Sequence, residues 1–297
     1  MDEAVAKQDL ATIVDILKGC GRVHQDVAYQ GCDTIWNLAF QNDKIKTKLG
    51  EIGGCEVVVY MLKVWVRTDK YLTVAMCAAF YNLAANNDKN RVKLSQIGAN
   101  EAVLEAIKVF ETTKIDAEKL ASILEKITTL EKVDLFSKNI GVEGAKALAV
   151  TLEKNRTLKE VNLSGNQLGV EGAKALAIAL EKNRTLQQVF LSSNLIGDEG
   201  AKALAGALEK NTTLHRLELR HNKIGNEGAK VLACALEKNM TLLLMNLFGN
   251  QIGDEGVETL AVALVKNSTL KEVSLSGNKI GVEGAKALAI ALEKTRR

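Results

Sequence analysis

The sequence predicts an α/β solenoid in two parts: an all-helical repeat superhelix over residues 1–115, then strand–helix units over 116–297 that share one parallel sheet. Three observations carry this expectation. Leu130, Leu158, Leu186, Leu214, Leu242 and Leu270 recur every 28 residues. Each opens a period-2 segment that gives way to a period-3.6 segment, the marks of a strand followed by a helix. In the first half a different match recurs at 45 residues, within segments of helical pattern throughout.

Each 28-residue unit begins L-x-x-[VLM]-x-L, as in Leu158, Val161 and Leu163. Asn166, Asn194, Asn222, Asn250 and Asn278 then stand at one offset, with Lys138 in the first copy. An isoleucine or leucine with glycine follows, then a helical stretch; Gly169–Lys182 recurs letter for letter at Gly281–Lys294. One strand and one helix cannot cover their own apolar face, so neighbouring units must stack and pool their leucines in a continuous core. There an inward Asn amide is expected to satisfy buried backbone groups, and Lys138 to sit at a less enclosed first unit. Asp198, Asn226 and Asp254 stand where a helix N-cap is wanted, a slot that Val142, Val170 and Val282 fill without a side-chain acceptor. Asn155, Asn183, Asn211, Asn239 and Asn267 end the helices, where a left-handed residue is expected. They also spell N-x-T, and are read as turns without glycans.

These letters resemble the ribonuclease-inhibitor type of leucine-rich repeat, also seen in NOD-like receptors and in the GTPase-activating protein of Ran. The resemblance covers about residues 116–297. It implies a horseshoe with a parallel β-sheet on the concave face and α-helices on the convex face.

In the first half, Thr34–Lys44 aligns with Ala79–Lys89, and the match continues through Leu49/Leu94, Ile52/Ile97, Gly53/Gly98 and Lys63/Lys108. Helices are expected over 3–18, 24–40, 43–52, 54–66, 70–85, 88–97 and 99–111. Asn-Leu-Ala closing a long helix, then a short helix ending in Ile-Gly, resembles the armadillo repeat. The resemblance implies that Asn37 and Asn82 line a groove and clamp an extended peptide. Peptide-reading armadillo proteins such as the importins carry Trp four residues before that Asn, where this chain has Asp33 and Ala78, which argues against an importin-like role. Trp36 and Tyr81 are expected in the core. Residues 117–126 align with the helices of the second half and fall where another helix of the first would start, so a helix at 116–127 is expected to cap the leucine-rich core and join the two parts.

Charged residues make up 25% and the net charge is +3, with Lys and Glu interspersed and no basic block, so nucleic acid is not an expected partner. No apolar stretch reaches eighteen residues, and Met1-Asp2-Glu3-Ala4 does not open a signal peptide; a cytoplasmic protein without a membrane span is expected. The five cysteines, 20, 32, 55, 77 and 234, show no metal-ligand spacing and are read as reduced core thiols. No catalytic, cofactor or metal motif is found. Gly277–Lys286 lacks the glycine-lysine step of a phosphate loop, and His215 and His221, about 20 Å apart along a strand, cannot share an ion.

The informative positions are those that vary while the framework stays fixed. Residues alternating with the buried leucines face away from the helices. In the second and last units they are bland: Glu160, Asn162, Ser164 and Glu272, Ser274, Ser276. Between them stand Phe190, Arg216, Glu218, Arg220, Leu244, Asn246 and Phe248, with Phe136 and Asp134 outlying. Aromatics beside arginine are the types enriched at binding hot spots. The sequence therefore points to a non-enzymatic protein–protein interaction scaffold holding a partner on this strip, with Asn37 and Asn82 as a second surface. Two other readings stay open: a GTPase-activating protein resembling the Ran regulator, and the ligand-sensing part of a larger receptor, kinase or ciliary assembly. The latter fits both ends, which read as uncapped and leave an unprotected edge near 270–276.

Overall fold

A computed structural model describes residues 3–66, 68, 70–99, 102 and 131–295. They fall into two compact units, one on each side of the undescribed stretch 103–130. The expected helix at 116–127, most of that at 99–111, the boundary at 115 and Leu130 all lie outside the described residues.

The first unit is all helix: α1 (Glu3–Ile16), a π-helical turn (Leu17–Gly21), α2 (Gln25–Ala39), α3 (Asp43–Glu51), α4 (Gly54–Trp65), α5 (Lys70–Ala84) and α6 (Asp88–Gln96). The 45-residue match is structural. Cys32 and Cys77, Ile35 and Phe80, Ala39 and Ala84, and Leu49 and Leu94 are all buried where α2 packs on α5 and α3 on α6. The backbone repeats too, since Gln41 and Asn86 are both left-handed, as are Gly53 and Gly98. Asn42 and Asn87 accept the N–H of Ile45 and Asn90, capping α3 and α6. Trp65 Nε1 donates to the Gly21 carbonyl at 2.7 Å, and Lys93 Nζ donates to that of Gly50 at 2.6 Å, tying one repeat to the next.

Two expectations change here. Trp36 and Tyr81 are only half-buried, because the fully enclosed large residues are their predecessors Ile35 and Phe80. Cys32, Cys55 and Cys77 are buried thiols, each pushed up to about 12 by loss of solvent, but Cys20 and Cys234 are exposed and belong to no core.

The second unit is one six-stranded parallel sheet, β1 (Lys132–Asp134), β2 (Glu160–Asn162), β3 (Gln188–Phe190), β4 (Arg216–Glu218), β5 (Leu244–Asn246) and β6 (Glu272–Ser274), in sequence order. The helices α7 (Gly141–Lys154), α8 (Gly169–Lys182), α9 (Gly197–Lys210), α10 (Asn226–Lys238), α11 (Asp254–Lys266) and α12 (Val282–Thr295) pack each on the next. Strand register is the repeat itself, Val161 opposite Val189 and Leu217 opposite Met245. Leu135, Leu163, Leu191, Leu219 and Leu247 form one buried file, each N–H donating at 2.8 Å into the following repeat.

Two ladders of asparagine hold the ends of the layers. Asn194 is 0% exposed, and its Nδ2 donates to the carbonyls of Leu163 and Leu191 at 2.9 and 3.0 Å while its Oδ1 accepts the N–H of Asn166 at 2.8 Å. Asn166, Asn222 and Asn250 repeat this. Lys138, in the same slot of the first unit, is 9% exposed where Asn166, Asn194 and Asn222 are 0%, and Lys132 and Asp134 on its strand are exposed, the less enclosed place expected; its backbone N–H donates to Asn166 Oδ1. The second ladder sits at the helix ends. Asn183 Nδ2 donates at 2.6 Å to the carbonyl of Leu152, an otherwise orphaned group of the preceding helix end, and its Oδ1 accepts the N–H of Thr185 and Leu186. These residues were expected to be left-handed; Asn155, Asn183, Asn211, Asn239 and Asn267 are instead extended, φ −64 to −78 with ψ 123 to 140, because the position selects Asn for its amide and not for its φ.

The expected N-caps are also corrected. Asp198, Asn226 and Asp254 lie inside the first turn of their helices or at its start, and each serves the next helix. Asp198 Oδ1 accepts the N–H of Gly225 at 2.6 Å and of Gly228 at 3.0 Å. Asn226 does the same for Gly253 and Gly256, and Asp254 for Gly281 and Gly284. A residue already helical cannot fold back on its own turn as a cap must, but it can reach the neighbouring helix start. The cap decides the backbone it serves. Gly141, Gly169 and Gly197, which lack it, have φ of 61 to 64 and donate forward to the next repeat's Asn carbonyl. Gly225 and Gly253, which have it, are extended at φ −100.

Replacing Asn194 by Ala strips partners from at least three buried backbone groups, each worth about 1–3 kcal/mol when orphaned. Stability falls by about 3 kcal/mol or more, read as a lowered urea midpoint, whereas half-buried Asn278→Ala at the last strand costs less. Asp198→Val costs about 1 kcal/mol. It also turns Gly225 to positive φ and speeds hydrogen exchange at the Gly225 and Gly228 amides, while leaving Gly197 unchanged.

Candidate functional site

The helix-free face of the sheet is built from three rows of side chains. The first runs Lys132, Glu160, Gln188, Arg216, Leu244, Glu272 and the second Asp134, Asn162, Phe190, Glu218, Asn246, Ser274, in the register of the strands. The third, just past the strand ends, is Phe136, Ser164, Ser192, Arg220, Phe248, Ser276. The residues singled out in the sequence therefore come together on β3 to β5 and the turns that follow them.

Two arginine–aromatic pairs dominate. The Arg216 guanidinium lies 5.1 Å from the Phe190 ring centroid, and its Nε and Nη2 donate to Glu218 Oε1 at 2.9 and 2.7 Å. Glu218 is only 4% exposed, so it is the counter-ion beneath Arg216. The Arg220 guanidinium lies 5.0 Å from the Phe248 centroid, and the His221 ring meets the same phenyl edge-on at 5.1 Å and 86°. Stacking of this kind holds a long cation in one pose and adds about 0.5–1 kcal/mol at exposed sites. Asn246 Oδ1 accepts the Phe248 N–H at 3.0 Å, as Asp134 does for Phe136, so Asn246 orients the turn that carries Phe248. Leu244 is half-buried beside them.

His221, weighed in the sequence only as half of a metal pair, belongs to this cluster. It is exposed and left-handed at φ 53, and its ring covers Gly249, where an added Cβ would collide with the imidazole. The signal was present in Arg220-His221 and Phe248-Gly249 occupying the same two offsets of adjacent repeats.

In the first unit the two asparagines part company. Asn82 is 3% exposed and its Nδ2 donates to the Trp36 carbonyl at 2.8 Å, a bond within the stack. Asn37 is exposed and bonds Asp33 on the preceding turn at 3.1 Å. An apolar groove of about 340 Å³ lies between α1 and α2, lined by Ile13, Ile16, Leu17, Val27 and Gly31. Among the described residues no group of three His, Cys, Asp or Glu side chains is placed to hold a metal ion, and no helix is long and apolar enough to cross a membrane.

Six matches to a family model described as Leucine Rich repeat fall at 126–149, 154–177, 182–205, 210–233, 238–261 and 266–289. No curated protein matches the chain in sequence. Among solved structures it is similar to leiomodin-1 actin-binding site 2, at 22% identity and a TM-score of 0.44 over 50% of this chain and 87% of that one. It is also similar to two engineered proteins, each at 18% identity and a TM-score of 0.36; the matches cover 97% and 96% of this chain and 96% and 57% of theirs. The repeats located by the family model coincide with the strand–helix units described above: residues 126–289 are a run of six leucine-rich repeats.

Proposed function

We propose that the protein is a non-enzymatic binding scaffold that holds a protein partner on the helix-free face of its leucine-rich repeats. The observation that carries this reading is the concentration of Phe190, Arg216, Arg220, His221 and Phe248 on three adjacent repeats, where two arginines and a histidine are packed on two phenyl rings. Aromatics and arginines in fixed poses bind with little ordering cost. Six strands about 4.8 Å apart give a face roughly 24 Å across, the scale of one side of a standard interface.

The finer affiliations belong to the same proposal. The repeats are of the ribonuclease-inhibitor type, supported by their 28-residue length and one full α-helix each. The first unit is of the armadillo type, supported by the 45-residue recurrence of its buried pairs and left-handed turns. Its second surface centres on Asn37, since Asn82 is spent inside the stack. The protein works in the cytoplasm, in keeping with three buried reduced thiols.

Cross-linking capture with the wild-type chain and with an Arg216→Ala/Arg220→Ala/Phe248→Ala variant tests the surface. Partners of the sheet face are lost from the variant, at least tenfold by quantitative mass spectrometry, while its circular dichroism stays that of the parent. Undiminished capture of every partner removes the proposal.

A further inference from the structure

The two stacked arginines differ in one respect. Arg216 has a counter-ion of its own in Glu218, and Arg220 has none: its guanidinium contacts the Phe248 ring, and no carboxylate among the described residues pairs with it. Its surroundings sharpen the contrast. The six strand-to-helix turns, 135–141, 163–169, 191–197, 219–225, 247–253 and 275–281, contain no Asp or Glu at all, although these residues are common elsewhere in the repeats. Beside Arg220 the same rim carries exposed His221 and Lys223, with Lys279 two repeats on. The nearby helix-start carboxylates are committed, Asp198 to the Gly225 and Gly228 amides and Glu227 to Lys230.

Resting on the sheet face being the binding surface, we propose that its partner is an acidic protein segment, one carboxylate of which docks on Arg220. Among the described residues its guanidinium is the one cation on the face held in a fixed pose with no carboxylate beside it. Stacking on Phe248 leaves its N–H edge free for a two-pronged bond to a carboxylate. Because the ring already holds the cation, little ordering cost falls on binding. Lys223 and His221 lie on the same rim, within the span of an extended segment, and the hydroxyls of Ser192 and Ser276 flank the Arg220–Phe248 pair in its row. Three exposed cations and one imidazole on one rim form no stripe of the length that tracks a phosphate backbone, so a polypeptide fits better than a nucleic acid.

The probe is a fluorescent decapeptide of alternating glutamate and glycine, with its glutamine counterpart as control, titrated into the full chain at low salt by anisotropy. The glutamate peptide binds about tenfold or more tighter than the glutamine one. Arg220→Gln removes that preference, Arg220→Lys restores it in part, and Phe248→Leu weakens binding with the charge unchanged. Lys210→Gln, on a helix away from the rim, leaves it within about twofold, the size of a screened surface charge. Equal binding of the two peptides, an unaffected Arg220→Gln, or a loss as large in Lys210→Gln overturns the proposal, as does an oligothymidylate that outcompetes the glutamate peptide. If cross-linked partners are lost on Phe190→Ala or Phe248→Ala but kept on Arg220→Gln, the sheet face remains the binding surface and only the acidic partner falls.

Discussion

Everything in the second unit depends on one constraint: a backbone that turns sharply at both ends of every strand–helix unit buries peptide groups that neither strand nor helix can satisfy. Asparagine answers it because its amide donates and accepts at once. At the strand ends Asn166 to Asn278 bond the carbonyls of their own and the preceding repeat while accepting N–H groups from that neighbour. At the helix ends Asn183 to Asn267 reach back to the orphaned carbonyls of the helix before. With the turns fixed, the leucine file needs only volume, and the outward positions between the leucines are free to differ from repeat to repeat.

That division explains why so much of the fold was legible. The leucines and asparagines are set by burial and bonding within a fixed 28-residue frame, so their spacing specified the strands, the register and the inward Asn. Other features answer to partners in the next repeat, which a reading of one unit at a time does not see. Asp198 looks like a cap for its own helix, and only the stacking shows that the nearest open N–H groups belong to Gly225 and Gly228. The helix-end asparagines suggested a left-handed turn for the same reason, their real partners being carbonyls one repeat away.

The site was legible in its residue types and not in its pairings. Alternation placed Phe190, Arg216, Glu218, Arg220 and Phe248 on one face. It did not show that Glu218 lies buried beneath Arg216, or that His221 joins Phe248 across the bare backbone of Gly249. In the first unit Asn37 and Asn82 are equivalent in sequence, yet only Asn82 has the Trp36 carbonyl within reach.

The sideways caps carry a consequence for how such an array is inherited. Because the letter at position 198 dictates the backbone at 225, a unit does not bring its own opening instruction; its predecessor does. A segment exchanged at the boundary that the eye picks out would arrive with its glycine hinge governed by a stranger, adopting one geometry after Val170 and another after Asp198. A cassette of any length thus keeps its internal hinges and surrenders its first one to whatever unit precedes it.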